Sequence, residues 1–209
     1  MKICKAACFR SVVLCILTAG ACVVALPELK AQEADPGHFI QTLGNRAIEI
    51  LSSPNHSIEE QEDRFREILR DNFAIEKIGR FVAGKYWREM SADQKLNYQQ
   101  LFSEWVLKTY SIRLGGYAGE TLRVINTTDT SKSDFIVHTR IEKGEGGGIK
   151  TNWRVREING RYKIIDVYVE GISMAVTQRS EFGAVLQRRG AHGLIDSLRN
   201  RLSDLSAAR

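Results

Sequence analysis

From Pro36 to Ser52 the apolar residues Ile40, Leu43, Ala47, Ile50 and Leu51 recur at helical spacing, which commits one face of a first helix to a core, and Pro54 closes it. Ser57 followed three residues later by Glu60 is a capping-box start. The segment it opens repeats the stripe through Phe65, Ile68 and Leu69 up to Phe73, and predicts a second helix. A short third element spans Glu76 to Ala83 and ends at Gly84. Ser91 with Gln94 then opens a long helix carrying Tyr98, Leu101, Phe102, Trp105, Thr109 and Ile112, which Gly115 and Gly116 stop. After that the period changes to two. Leu122 and Val124, then Phe135, Val137 and Ile141, then Ile149, Thr151, Trp153 and Val155 alternate with polar neighbours, as antiparallel strands do.

Turn signals separate these strands at Thr128 to Ser133, at the Gly144 to Gly148 run and at Asn159-Gly160, a strong short hairpin signal. The strand from Tyr162 to Glu170 is apolar on both sides, with Tyr162, Ile164 and Tyr168 opposing Ile165, Val167 and Val169. It is expected in the middle of the sheet, covered on both faces. Between Ser180 and Leu205 the helical period returns through Phe182, Val185, Leu186, Leu194, Leu198 and Leu202. Helices, four strands and helices in that order predict an α+β fold in which helices wrap a twisted, mainly antiparallel sheet. No internal repeat or second domain is visible.

The N-terminal residues stand apart from this pattern. Lys2, Lys5 and Arg10 precede an apolar run from Val12 to Leu26 broken only by Thr18 and Gly20. That run is shorter than the roughly 20 residues of a membrane span, and small residues suited to cleavage follow at Ala25 and Ala31, so residues 1–31 read as a secretory signal peptide. An uncleaved anchor and lipidation at Cys22 are the other readings. Pro27 and the polar stretch after it count against the first, and the apolar residues continuing through Leu26 count against the second. Cleavage leaves residues 32–209 as a single domain.

Composition changes the picture in two ways. Cys4, Cys8, Cys15 and Cys22 all lie in the leader, so disulfides, thiolate catalysis and cysteine metal ligation are not expected of the mature chain. The formal charge of +5 also shrinks, because cleavage after Ala25 removes three of the 30 Lys and Arg and leaves 27 against 25 acids. The basic residues of Gln187 to Arg189 and Arg199 to Arg201 sit at helical spacing beside leucines, as on a solvated helix face and not as in a nucleic-acid interface.

Candidate chemistry is sparse. His38, His56, His138 and His192 lack the paired spacing of a zinc site, and no metal is expected. His138 lies in an alternating strand, where a solvent-facing residue is the ordinary reading. Asp166 interrupts the most apolar strand and is either an acid-base candidate or a structural acceptor. No second carboxylate, nucleophile motif or phosphate-cradling loop accompanies it.

From about Arg64 nearly to its end the chain resembles the MlaC family, periplasmic phospholipid-binding components of the Mla lipid-transport system, also known as toluene-tolerance auxiliary proteins. The residues that carry the resemblance are Phe65, Leu69, Asn72 and Phe73, then FVAGKYW from Phe81 to Trp87 and LFSEWVLKTYSIRLGGYAGE from Leu101 to Glu120. It continues through Trp153, KIIDVYVEGIS from Lys163 to Ser173, Arg179, Phe182 and the ending RRGAHGLIDSLRNRL. Where the family commonly has Asp after the Asn-Phe pair, Ala74 stands here.

The resemblance implies a helix-wrapped sheet enclosing an apolar cavity for lipid tails, no catalytic activity, and bound phospholipid as cargo with no cofactor. By inward phase it points to Val106, Tyr110, Leu114, Leu122, Val124, Val137, Trp153, Val155, Ile164, Val167 and Ile172 as the lipid-binding lining. Lys85, Arg88, Lys108 and Arg113 are candidates for docking. The implied partners of a monomeric periplasmic carrier are an inner-membrane ABC transporter with a lipid-binding hexameric ring and an outer-membrane lipoprotein-porin complex. A hopanoid-associated branch leaves the lipid open between glycerophospholipid and hopanoid. Readings from other classes are a cavity enzyme in which Asp166 and His138 converge on a hydrophobic substrate, and a scaffold with a filled core.

Overall fold

Helix starts are where the local chemistry is plainest. In the computed structural model, which describes residues 35–114, 119–142 and 147–207, α1 (Pro36–Leu51) begins after Asp35, whose carboxylate accepts the His38 N–H at 3.2 Å. At α2 (Ile58–Asn72) the Ser57 hydroxyl accepts the Glu60 N–H while the Glu60 carboxylate accepts the Ser57 N–H, the reciprocal pair expected of a capping box. Ser91 and Gln94 do the same for α5 (Ala92–Leu114). Between them lie α3 (Ile75–Ala83) and a single turn not expected from the pattern, α4 (Tyr86–Glu89). Ala74 caps α3 without any side-chain hydrogen bond, the local cost of the residue that departs from the family pattern.

The strands β1 (Thr121–Asp129), β2 (Asp134–Glu142), β3 (Gly148–Ile158), β4 (Arg161–Val169) and β5 (Ile172–Ser173) form one antiparallel sheet in sequential order. Asn159 and Gly160, with φ of 53° and 71°, turn β3 into β4, and both positive angles suit the Asn-Gly pair. The loop between β1 and β2 is also where the spacing predicts it. Residues 144–146 of the glycine run, the stop at Gly115-Gly116 and the leader with its cleavage points lie outside the described residues.

Two expectations change. β4 is not central: among the described residues, beyond β3 it meets the two residues of β5 and an isolated bridge from Phe73 to Ile164. Its alternation also slips, because Val155 pairs with Ile164 while Arg154 pairs with Asp166, leaving Ile165 as an extra bulge residue. Tyr162, Ile164, Val167 and Val169 therefore share one sheet face. The last helix, α6 (Met174–Ala207), starts six residues before Ser180, since the Ser173 hydroxyl accepts the Val176 N–H at 3.0 Å. Gly190, at φ 63° and ψ −169°, breaks it into two segments.

Apolar residues gather in two clusters. One is helical, with Tyr98, Phe102, Phe182, Leu194 and Leu198 at its fully buried centre. The Tyr98 hydroxyl donates to the Gly79 carbonyl at 2.8 Å, and burial pushes its ionisation far above the ordinary range, so it stays a neutral donor. The second cluster lies on the sheet, where Val137, Val155 and Ile164 are sealed against Ile40 of α1. No helix among the described residues is long and apolar enough to cross a membrane.

Candidate functional site

Between the two clusters the layers do not close. The gap is a cavity of about 580 Å³, within the range of small-molecule sites. Its helical wall comes from Ile40, Leu43, Ala47 and Leu51 of α1, Phe65, Ile68 and Leu69 of α2, Ile75, Ile78 and Val82 of α3, and Phe102, Trp105, Val106 and Tyr110 of α5. The sheet supplies Leu122, Ile141, Ile149, Trp153, Val167 and Val169. Met174, Ala175 and Gln178 at the start of α6 complete the wall. Apart from Glu120, Thr121, Asp166, Gln178 and the Tyr110 hydroxyl, the wall is apolar, so it offers burial and few directional contacts.

Of the lining expected from inward phase, Val106, Tyr110, Leu122, Trp153 and Val167 face this cavity. Val124, Val137, Val155 and Ile164 do not. They lie on the same sheet face but nearer the end that α1 covers, where Phe39 and Ile40 fill the space above them. Alternation fixes the face of a strand and says nothing of where along it the helices lift away. Ile172 sits outside the wall on β5 and is 60% exposed. The side chains of Leu114 and Arg113 lie outside the described residues.

The wall residues of α1 and α2 were legible as apolar stripes, yet a stripe facing a void has the same period as one facing a packed layer. Small residues are the exception. A side chain at Gly44 would meet Leu122 at 3.1 Å, so α1 approaches β1 closely there.

None of Lys85, Arg88 and Lys108 is among the wall residues. Lys85 stacks over Tyr86, Arg88 is exposed on α4, and the Lys108 ammonium donates to the Ser206 hydroxyl at the far end of α6. Lys108 stands sixteen residues beyond Ala92, about 24 Å along α5.

Asp166 and His138 do not meet. The Asp166 carboxylate accepts the N–H groups of Val167 and Ala175 at 2.8 and 3.0 Å and the Ser173 hydroxyl at 2.5 Å, which fastens the start of α6 to β4. The His138 ring contacts Thr128 at 3.1 Å and Asn152 at 3.2 Å on the opposite, polar face of the sheet. That face also holds Asp134, whose carboxylate accepts hydrogen bonds from Arg154 and Arg156. The Arg156 guanidinium above all, with Arg154, holds its carboxyl below the usual range. Among the described residues no group of His, Cys, Asp or Glu is placed to hold a metal ion.

The fold and its hollow define an α+β protein whose helices stand off a single antiparallel sheet around an apolar cavity. Residues 41–200 match the MlaC protein family, and the chain belongs to it. A relative from Haemophilus influenzae, the intermembrane phospholipid transport system binding protein MlaC, is 21% identical over 180 residues, covering 82% of this chain and 84% of its own. A phospholipid-binding protein from Ralstonia solanacearum, determined in complex with a phospholipid, shares the fold with a TM-score of 0.67 at 18% identity. That match covers 79% of this chain and 98% of the other.

Proposed function

We propose that this chain is a phospholipid carrier that holds the acyl chains of its cargo in the cavity while they cross the aqueous space between two membranes. The observation that carries the reading is the 580 Å³ hollow with an apolar wall, left open between two separately packed clusters. The Haemophilus relative is named for intermembrane phospholipid transport and the Ralstonia protein holds a phospholipid, which supports the same class of cargo.

Each buried methylene is worth about 0.8 kcal/mol, so two chains of roughly sixteen carbons cost on the order of 25 kcal/mol to leave in water. A dry cavity offsets that cost without any catalytic group. Membrane and cavity are then nearly matched in free energy, so the direction of transfer is set by partners. In this reading the mature protein starts near Gln32, is a periplasmic monomer, and exchanges lipid with an inner-membrane ABC transporter carrying a lipid-binding ring and with an outer-membrane lipoprotein-porin complex. Asp166 and His138 take no catalytic part, in keeping with their separate hydrogen-bond partners. The open cavity counts against a filled-core scaffold.

The test is native mass spectrometry of the periplasmically expressed protein, followed by organic extraction and lipid identification. About one glycerophospholipid per chain is expected. A hopanoid would redirect the reading within the family, and a lipid-free protein that takes up none from labelled vesicles would overturn it.

A further inference from the structure

The sheet wall of the cavity ends abruptly. Along β3, Ile149 and Trp153 line the hollow, whereas Val155, two residues further on the same face, is fully buried in the sheet cluster. Strand β4 repeats the step: Val167, paired with Trp153, faces the cavity, and Ile164, paired with Val155, is sealed, while on β2 Ile141 lines the hollow and Val137, the other partner of Trp153, is already sealed. The indole of Trp153 stands at this boundary and is fixed there by polar contacts. Its Nε1–H donates to the Thr139 hydroxyl at 3.0 Å, and that hydroxyl donates to the Thr151 carbonyl at 2.7 Å. The Phe73 ring meets it edge-on, with centroids 6.5 Å apart.

From this geometry we infer that Trp153 is the floor of the cavity and sets the longest acyl chain the protein accepts, an inference that rests on the carrier reading. A ring held by a hydrogen bond and an edge-on aromatic contact does not swing aside as an unbranched side chain does, so the limit it imposes is sharp. Chain length enters as follows. A methylene moved from a bilayer into an apolar cavity gains almost nothing, because both surroundings are dry. Uptake from vesicles is therefore flat with chain length until the tail reaches the floor. Beyond that point each methylene without room lowers occupancy about fourfold.

The experiment offers the purified full chain vesicles of saturated diacyl phosphatidylglycerols in equal proportions, with chains running from short to long, and identifies the bound lipid by native mass spectrometry. The unaltered protein shows a flat profile with a break. Trp153→Leu moves the break to longer chains, so that the first lipid excluded by the unaltered protein rises at least fourfold relative to the last one accepted. Trp153→Phe, which keeps an aromatic ring on the strand, moves it less in the same direction and decides the matter if the leucine variant fails to fold. An unmoved break in a folded, lipid-binding variant overturns the role of Trp153 and leaves the carrier reading standing, as does a profile without any break in the unaltered protein. Absence of uptake at every chain length overturns both.

Discussion

Asp134 is 4% exposed and answers two arginines at once, with contacts of 2.6 Å to Arg156 and 3.0 Å to Arg154. A carboxyl held below its unfolded value, ordinarily near 3.9, contributes stability that is fully present above that value and is lost as pH falls through the lowered folded one. Urea midpoints recorded from pH 6 downward should therefore fall on the acid side for the unaltered chain. Asp134→Asn should be less stable at pH 6 and should lose less on acidification; parallel curves would remove Asp134 from the acid limb.

At Val167 the expectation concerns cargo. This side chain faces the hollow beside Trp153, so Val167→Trp adds an indole where acyl carbons would lie. Bound lipid should drop several-fold, at about 0.8 kcal/mol per displaced methylene, while the melting transition stays cooperative. Unchanged lipid in a folded variant would remove Val167 from the binding surface. Single residues of this kind were partly visible in the sequence. The phase of β3 pointed Trp153 inward, but the bulge at Ile165 that brings Val167 and Ile164 to one face is a register event with no local signature.

Among the elements, β1 is an edge of the sheet, and one side chain of α1 hydrogen-bonds part of its open backbone. The Gln41 amide donates to the Leu122 carbonyl at 2.9 Å and accepts the Val124 N–H at 3.1 Å, in the manner of a neighbouring strand. Edges left open invite pairing with other chains. Gln41→Leu removes both contacts, and at about 1 kcal/mol per hydrogen bond should lower stability by roughly 2 kcal/mol. Chemical denaturation measures the loss, and a midpoint equal to that of the unaltered chain would mean the clamp contributes nothing.

Helix boundaries were readable wherever a side chain announced them, as at Ser57 and Ser91. The start of α6 was not, because Ser173 and Asp166 cooperate there only after β4 and β5 have folded back on each other. Position across the sheet was likewise hidden. Apolar residues on both sides of β4 suggested a central strand, whereas the far side is met by β5 and by Phe73 of the helical layer.

For the molecule as a whole, the alternation of periods foretold an antiparallel sheet under helices, and the resemblance foretold the cavity. Periodicity alone carried no information about it, because a void is a distance between layers and not a property of either one. The hollow makes the empty protein the less stable form. An occupant that binds only the folded chain adds about 2.7 kcal/mol at a hundred times its dissociation constant. For a chain of this size each kilocalorie moves the melting temperature by roughly 2–4 °C. Protein stripped of lipid on an apolar matrix should melt several degrees lower and recover on reloading from phosphatidylglycerol vesicles. Equal transitions would mean that the cavity holds nothing the fold depends on.

Sealing one end of the sheet with Val137, Val155 and Ile164 while the other end stays hollow also governs how such a chain varies over generations. Substitutions at the sealed end are felt by every copy, because they leave a void or a clash whatever the cargo. Exchanges of one apolar shape for another along the hollow alter only what fits inside. Descendants can thus take up lipids of new shape by changing a few wall positions, with the lineage's foldability inherited intact from the other end of the same strands.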